Sequence, residues 1–340
     1  MRASKSTHPA AIATIPPMPE DVERPFWSVM IPTYNCDALF EQALRSVLDQ
    51  DPGPDRMQIT IVDDGSTSRL HEELIRELAP SRVELFRQPA NVGLAGNWNT
   101  CIERSRGRWV HIFHQDDLVL PGFYEALSRA VSERPDAGAA FCRHGFIDGE
   151  GRQHCLSTLL RPTAGILDDW IATIAQKQHI QCPSIVVRRD VYEDLGGFRS
   201  DLVYSLDWEM WVRIAAHYPV WFEPEPLACY RNHGGNETAR LKRGNRDIRD
   251  ARKAVRHVYA HVPPALRSTI RRAWFDDLRD AELRLTCEAL AARDLRLGVA
   301  KLLRAIEWDP SLAFSRAGFA YYKWALKVWL GKWLPIGQWR

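Results

Sequence analysis

Apolar and polar positions between residues 27 and 134 repeat in an order that predicts strands followed by helices. The run SVMIPTYN after Trp27 is apolar and β-rich and stops at Pro32, and ALFEQALRSVLDQ then shows helical apolar spacing behind Asp37, a predicted N-cap. The pattern returns as QITIVDDGSTS with RLHEELIREL, VELFRQ with LAGNWNTCIERS, and RWVHIFHQDD with PGFYEALSRAVSER. Such alternation predicts an α/β fold built from βαβ units, with a mainly parallel, Rossmann-like sheet.

Polar turns follow three of the predicted strands, at residues 32–35, 63–66 and 114–117. In open α/β sheets, ligands bind beyond the carboxyl ends of the strands. We therefore expect these three turns to converge on one crevice.

The pattern becomes less regular after Phe141, and this change predicts the domain organisation. A helix is expected near residues 168–178, a strand at SIVV and a tryptophan-rich helix at SLDWEMWVRIAAHY, whereas the chain beyond Gly235 turns basic and helical. Residues 1–25 contain five prolines and no apolar run long enough for a signal peptide or a membrane helix. The sequence predicts a mobile leader over 1–25, an α/β domain over 26–238 and a helical C-terminal region over 239–340.

Composition limits the classes of function. Apolar residues make up 45% and charged residues 26% of the 340 residues, as in folded globular proteins. The formal net charge of +2 is too small to indicate nucleic-acid binding by bulk charge. The seven cysteines are scattered, without a C-x-x-C pair, which is typical of a protein of the reducing cytoplasm.

Paired carboxylates end two of the predicted strands, Asp63 with Asp64 and Asp116 with Asp117. Mg²⁺ and Mn²⁺ prefer carboxylate oxygens, and a departing diphosphate needs its charge neutralised, so these pairs suit a metal-assisted site. The alternative is that each pair only forms a turn and caps the next helix.

Two later segments contain further candidates. Asp207 and Glu209 begin the tryptophan-rich helix, where Asp207 would act as a general base, or where both acids would only complement the helix dipole. Arg231 and His233 lie in YRNHGGN, which is either an ordinary surface loop or a strip that folds over a bound diphosphate. His111 is interpreted as structural.

Six motifs in this order resemble the inverting family 2 glycosyltransferases of the GT-A fold: SVMIPTYN, IVDDGSTS, NVGLAGNWN, GRWVHIFHQDD, GGF and LDWEMWVR. The resemblance runs from about Trp27 to Asn236. It implies a nucleotide-diphosphate sugar donor, Mn²⁺ or Mg²⁺, and a single displacement with inversion at the anomeric carbon.

The resemblance also implies roles for single residues. The nucleoside site would be lined by Pro32, Thr33 and Tyr34, with Asp64 bonded to the base, Asp116 binding the metal and Asp207 acting as the base catalyst; Asn99, His114, Arg231 and His233 complete the donor-binding set. Three positions depart from the family pattern. His114 stands where an acid of the D-x-D-D motif is frequent, Trp98 where Arg is frequent, and Leu206 where an acid often precedes the base.

These observations predict a metal-dependent glycosyltransferase that uses a nucleotide sugar, with UDP-sugars favoured, and a glycan or lipid-linked glycan acceptor in bacterial surface glycan synthesis. A nicotinamide-dependent dehydrogenase would need a G-x-G-x-x-G turn after the first strand, where PTYNCDAL has no glycine. A sugar nucleotidyltransferase would need a glycine-rich basic loop there. A non-catalytic sugar-binding module remains open.

The last 31 residues, 310–340, contain five basic side chains, eight aromatic ones and no acid. Such a segment is typical of an interfacial helix on an anionic membrane, and it predicts a cytoplasmic protein at the inner face of the cell membrane. The alternative is that its aromatic side chains pack on the preceding helices, where ARDLRLGVAKLLRAIEWDP resembles a helical-repeat hairpin.

Overall fold

A computed structural model describes residues 11–19, 22–243, 246–314, 319, 322–323 and 326–327. The chain forms two compact units, the first ending at Val262 and the second beginning at Pro263. The boundary predicted near residue 238 therefore lies inside the first unit.

The first unit contains the predicted strands and helices in the predicted order. Its strands are β1 (Trp27–Thr33), β2 (Met57–Asp63), β3 (Glu84–Arg87), β4 (Trp109–Ile112), β5 (Leu118–Val119), β6 (Ala139–Ile147), β7 (Gln153–Leu156), β8 (Gly165–Ile166), β9 (Ile185–Arg188) and β10 (Val220–Arg231). Its helices are α1 (Leu39–Leu48), α2 (Leu70–Leu78), α3 (Gly93–Arg104), α4 (Phe123–Glu133), α5 (Trp170–Ile174), α6 (Arg189–Leu195), α7 (Leu206–Ala215), α8 (Glu237–Arg243) and α9 (Arg246–His261).

The strands of the described ranges form one sheet in the order β3-β2-β1-β4-β9-β6-β10-β5, with β7 beside β6 and β8 beside β10. Strands β3, β2, β1 and β4 run parallel to one another, and β6 is parallel to β10. Strand β9 is antiparallel to both β4 and β6, and β5 is antiparallel to β10. The α/β prediction is confirmed, and the parallel part is confined to the first half of the sheet and the β6–β10 pair.

The local sequence explains the parallel half of the sheet. Every residue of β1 and β2 is buried, as expected for apolar strands covered on both faces. Helix α1 buries Phe40, Ala43, Leu44 and Val47, which recur at helical spacing on one face. Because β1, β2 and β4 run in the same direction, the three polar turns follow their carboxyl ends at the same edge of the sheet.

An N-terminal strap, residues 11–18, packs along the loop between α6 and α7. The carbonyl oxygens of Ala11 and Ala13 accept hydrogen bonds from Ser200 N and Gly197 N, both at 2.8 Å. The Ile15 side chain is only 2% exposed. The strap thus contacts this loop, and the mobility predicted for residues 1–25 stays a prediction. Residues 1–10 and 20–21 lie outside the described residues.

Helices α8 and α9 belong to the first unit, although their sequence is basic. Helix α9 buries Ile248, Ala254 and Val258, and its Asp250 side chain contacts the loop before α7. The α/β domain predicted for 26–238 thus ends before these two helices. Their basic composition suggested a separate region, although α9 has an apolar face that packs on the first unit.

The second unit confirms the predicted C-terminal helices, with α10 (Arg267–Ala291) packed against α11 (Leu295–Trp308). Asp294 caps α11 by accepting a hydrogen bond from Leu297 N at 2.9 Å. Segment 310–340, the predicted membrane contact, lies largely outside the described residues. No helix within the described ranges is long and apolar enough to cross a membrane.

Candidate active site

The turns after β1 and β4 are joined by backbone contacts of Tyr34. Its N–H donates to Gln115 Oε1 at 2.9 Å, and Gln115 Nε2 donates to its carbonyl oxygen at 3.4 Å. The Tyr34 side chain is 50% exposed, whereas Pro32 and Thr33 are buried in β1. Tyr34 is therefore the residue of the predicted nucleoside set whose ring is accessible.

Asp64 ties the turn after β2 to the start of α3. Its two carboxylate oxygens accept hydrogen bonds from Val92 N at 2.7 Å and Gly93 N at 3.1 Å. Burial raises the pKa of the Asp64 carboxyl, and these two N–H groups partly offset the rise. Its neighbour Asp63 is fully buried and forms an ion pair with Arg87 at 2.9 Å. Asp64 therefore contacts the start of α3 and does not cap α2, the next helix, whose N-cap residue Arg69 has no side-chain hydrogen bond. The contact of Asp64 with a nucleobase stays a prediction.

Asp116, the predicted metal ligand, lies against the loop after β10. His233 Nε2 donates to Asp116 Oδ2 at 3.0 Å, and the two side chains are 18% and 19% exposed. The hydrogen bond to Asp116 raises the pKa of His233. Across the part of the chain that the structure describes, no three His, Cys, Asp or Glu side chains are grouped to hold a metal ion.

Arg231 lies buried beside the turn that contains Asp116. It is 1% exposed, and its guanidinium donates to the carbonyl oxygen of Asp116 at 2.7 Å, to that of Asp148 at 3.2 Å and to Gln42 Oε1 at 3.0 Å. Its backbone N–H donates to Asp117 Oδ1 at 2.8 Å. As the last residue of β10, Arg231 thus supports the turn that contains Asp116, and its predicted contact with a bound diphosphate stays a prediction.

His114 lies among three carboxylates. Its Nδ1 is 3.5 Å from Asp117 Oδ2, and its ring packs against Trp98 with 4.8 Å between centroids. Burial alone would lower the pKa of His114, but Asp117 and the charges of Asp116 and Asp207 raise it. Burial raises the pKa of Asp117 to about 6, against the effect of His114. Charged groups in the turn after β4 and at the start of α7 therefore influence one another's pKa values.

Asp207 lies half-buried in the first turn of α7. Its Oδ1 accepts from Trp208 N at 2.7 Å, and its Oδ2 accepts from Gln178 Nε2 at 2.9 Å. Burial raises the pKa of Asp207 to about 6, although the Trp208 N–H, His114 and Gln178 all act to lower it. A carboxylate with this pKa is ionised at neutral pH and accepts a proton more readily than an ordinary aspartate.

Two further candidates have structural roles. The Asn99 side chain donates to the Phe198 carbonyl at 2.9 Å and accepts from Phe198 N at 2.7 Å, so both ends of its amide hold the loop before α7. Its predicted contact with the nucleotide stays a prediction. Glu209 is fully buried and pairs with Arg213 at 2.8 Å, which removes it as an alternative base.

Gln178 and Asp250 were not predicted from the sequence. Gln178 lies in the irregular stretch before β9, and Asp250 lies in the basic helical region. Neither residue has a local motif, and only its contacts with the start of α7 distinguish it.

Comparisons with known proteins identify the family and the fold. The family model described as Glycosyl transferase family 2 matches residues 28–196. The chain is 30% identical over 269 residues to an uncharacterized protein of Mycobacterium tuberculosis, covering 74% of this chain and 80% of that protein.

Two solved structures share the fold. S. aureus TarS in complex with UDP-GlcNAc aligns with a TM-score of 0.60 at 13% identity, covering 90% of this chain and 88% of that chain. Mannosyltransferase PcManGT from Pyrobaculum calidifontis, in complex with GDP-Man and Mn2+, aligns with a TM-score of 0.52 at 21% identity, covering 95% and 88%. From the family match and the shared GT-A fold, we conclude that the chain belongs to glycosyltransferase family 2 and is a glycosyltransferase.

Proposed function

We propose that this glycosyltransferase moves a sugar from a nucleotide-diphosphate sugar to an acceptor hydroxyl, with Asp207 as the general base and Asp116 as the metal-binding carboxylate. The observation that carries this proposal is the grouping of both aspartates around His114, whose pKa their charges raise. A displacement at an anomeric carbon requires one carboxylate that binds the metal and another that accepts the proton, both in the same crevice.

The reaction is a single displacement with inversion. The acceptor oxygen attacks the anomeric carbon, and its proton passes to Asp207. The bond between the anomeric carbon and the diphosphate oxygen breaks, and its electron pair leaves with the nucleoside diphosphate. The pKa of Asp207, which burial raises to about 6, supports this role because the group is ionised before attack and basic enough to take the proton.

The residues at Asp116 fit a divalent cation, Mn²⁺ or Mg²⁺. The Asp116 carboxylate is the ligand type that such ions prefer, and the His233 imidazole faces it at 3.0 Å. No group of three or more His, Cys, Asp or Glu side chains is found among the described residues, so oxygens of the donor diphosphate would be needed as further ligands. When bound, the cation would neutralise the charge that develops on the departing diphosphate. The fold neighbour solved with GDP-Man and Mn2+ motivates this proposal.

A UDP-sugar is the favoured donor. The half-exposed ring of Tyr34 offers a face on which a planar base can stack, at the sheet edge where Asp64 follows β2. His114, whose pKa lies above its ordinary value, provides positive charge for the diphosphate. The fold neighbour TarS was solved with UDP-GlcNAc.

The acceptor is a glycan or a lipid-linked glycan of bacterial surface assembly, reached through a peripheral membrane contact of segment 310–340 at the inner face of the cell membrane. Helix α11 supports an apolar contact surface, because Leu295, Val299 and Leu303 recur every four residues and are 49%, 47% and 62% exposed. The test is co-sedimentation with anionic liposomes of the full chain and of a chain ending at Asp309. Equal binding by both chains, or binding by neither, would exclude segment 310–340 as the anchor.

The donor is tested with a panel of UDP-glucose, UDP-galactose, UDP-GlcNAc and GDP-mannose. Release of the nucleoside diphosphate and thermal stabilisation by UDP or GDP are measured with Mn²⁺ and with EDTA. We expect UDP to stabilise the protein with Mn²⁺ and EDTA to abolish turnover. Turnover that EDTA leaves unchanged would exclude the metal, and stabilisation by GDP alone would exclude the UDP-sugar.

A further inference from the structure

We infer that Gln178 is a positioning residue for Asp207: its side-chain amide orients the carboxylate so that it can receive the proton of the acceptor. The inference rests on the proposed role of Asp207 as the general base.

The orientation of the Gln178 amide is determined by two contacts. Its Nε2 donates to Asp207 Oδ2 at 2.9 Å, and its Oε1 accepts from Ile180 N at 3.3 Å. A backbone N–H can only donate, so the Ile180 contact requires the oxygen end of the amide and turns the N–H₂ end towards Asp207. Asp207 therefore receives a neutral hydrogen-bond donor of defined direction.

The segment that contains Gln178 is joined to α7 at a second point. Helix α5 ends at Ile174, whose carbonyl oxygen accepts from Trp208 Nε1 at 2.7 Å. The next residue after Asp207 thus holds the end of α5, while Asp207 itself contacts Gln178. Gln178 lies four residues after the end of α5, so the Trp208 contact limits how far the segment that contains Gln178 can move from α7.

The two oxygens of Asp207 are held separately, Oδ1 by Trp208 N and Oδ2 by Gln178. Each carboxylate oxygen has two lone pairs, so the contacts orient the group and still leave a direction for the acceptor hydroxyl. Hydrogen bonds to the charged form also favour ionisation. Gln178 therefore acts on the geometry of Asp207 and on its proton affinity.

The titratable groups that face Asp207 are His114 after β4, Cys182 before β9 and Tyr204 before α7. Burial raises the pKa of Cys182 and that of Tyr204, the latter to about 12, so both are neutral near pH 7. His114 is the one of these three groups whose protonated form is positively charged. Gln178 can thus be changed to a neutral side chain without altering the charge around Asp207.

The test is the pH profile of kcat/KM, measured as nucleoside diphosphate release from the panel member that the wild type turns over fastest. Gln178→Met keeps the side-chain length and removes the donor, so we expect the acidic limb to move to higher pH by about 1 unit. Gln178→Glu adds a like charge beside Asp207 and should move the limb further in the same direction. The affinity for UDP should stay at the wild-type value in both variants.

A matched control is Gln176→Met, because the Gln176 amide donates to the Ala172 carbonyl and does not contact Asp207. Its profile should superimpose on that of the wild type. A purely structural role of Gln178 would lower kcat at every pH without moving the limb, and that result in both Gln178 variants would overturn the inference. If Asp207→Asn abolishes turnover while the Gln178 profiles match the wild type, the inference fails and the base stands. Normal turnover of Asp207→Asn would overturn both.

Discussion

The imidazole Nε2 of His233 lies 3.0 Å from Asp116 Oδ2 and joins the loop after β10 to the turn after β4. A cation at Asp116 must either replace this hydrogen bond or bind between the two side chains. Arg231 Nε donates to the carbonyl oxygen of Asp116 from the buried side, so the backbone of this turn is held independently of His233. This arrangement underlies the first prediction.

Asp116→Asn should lower the affinity for UDP in the presence of Mn²⁺ by about 10- to 100-fold, to the value measured with EDTA, because the amide removes the anionic ligand. Isothermal titration calorimetry with and without Mn²⁺ measures the effect. Asp136→Asn is the matched control, since Asp136 is an exposed carboxylate paired with Arg134. Unchanged affinity in Asp116→Asn would remove Asp116 from the metal site.

Asp207→Asn should retain donor binding and lose about 10² to 10⁴ in kcat, because a general base acts on the acceptor hydroxyl and not on the donor. Stopped assays of nucleoside diphosphate release, with UDP affinity measured in parallel, test this expectation.

The control for this variant is Glu209→Gln, two residues along the same helix. Removing the charge that pairs with buried Arg213 should lower the free energy of unfolding by about 3 kcal/mol. The folded fraction should keep its kcat. A loss of kcat in Glu209→Gln with normal kcat in Asp207→Asn would reverse the two roles.

The pH dependence of kcat/KM should follow Asp207. Burial raises the pKa of its carboxyl to about 6, and the base acts only when deprotonated, so kcat/KM should fall as the pH decreases through about 6. The residual activity of Asp207→Asn should lack this limb. A limb near pH 4, the range of an ordinary aspartate, would show that Asp207 is not the titrating base.

Asp250→Ala should lower both stability and turnover. The Asp250 carboxylate accepts hydrogen bonds from Val203 N at 2.9 Å, Tyr204 N at 2.8 Å and Ser205 N at 2.7 Å, immediately before α7. Leaving these N–H groups without a charged partner should cost about 2–3 kcal/mol in urea unfolding.

Asp280→Ala is the control for Asp250, because Asp280 is half-exposed and its ion pair with Arg279 should contribute less than about 1 kcal/mol.

Because Asp250 lies in α9, a chain that ends at residue 238 should unfold at lower urea concentration than one that ends at Val262. Equal stability of these two chains would contradict the role of α9.

Buried His111 should make stability depend on pH. Burial lowers the pKa of His111 from 6.5 to about 3, and its ring contacts the Tyr124 hydroxyl at 3.1 Å and the Pro183 carbonyl at 3.2 Å. The folded state keeps the imidazole neutral while the unfolded state takes up a proton below pH 6.5, so stability is lost as the pH falls. Between pH 7 and 5, the stability advantage of the wild type over His111→Gln should shrink by about 2 kcal/mol. Urea unfolding at both pH values measures it, and a constant difference would contradict the prediction.

The local sequence determines the elements and their ends. Strands β1 and β2 follow from apolar runs that stop at polar turns, and α7 follows from apolar residues at helical spacing. Because side-chain periodicity and chain-breaking residues act over a few neighbours, these features can be recognised without any long-range contact. The same logic places Asp64, Asp116 and Asp207 at element ends, where a crevice forms.

The tertiary structure decides which polar groups at those ends are already engaged by the protein. Arg231 contacts Gln42, 189 residues away, and Asn99 contacts Phe198, 99 residues away. Gln178 and Asp250 reach the start of α7 in the same way. A side-chain hydrogen bond of this kind produces no periodic pattern in the sequence. It forms only where packing brings donor and acceptor atoms of distant elements to within about 3 Å of each other. The sequence therefore determined the scaffold and the candidate carboxylates, and only packing separated the residues that brace the site from those left open to a substrate.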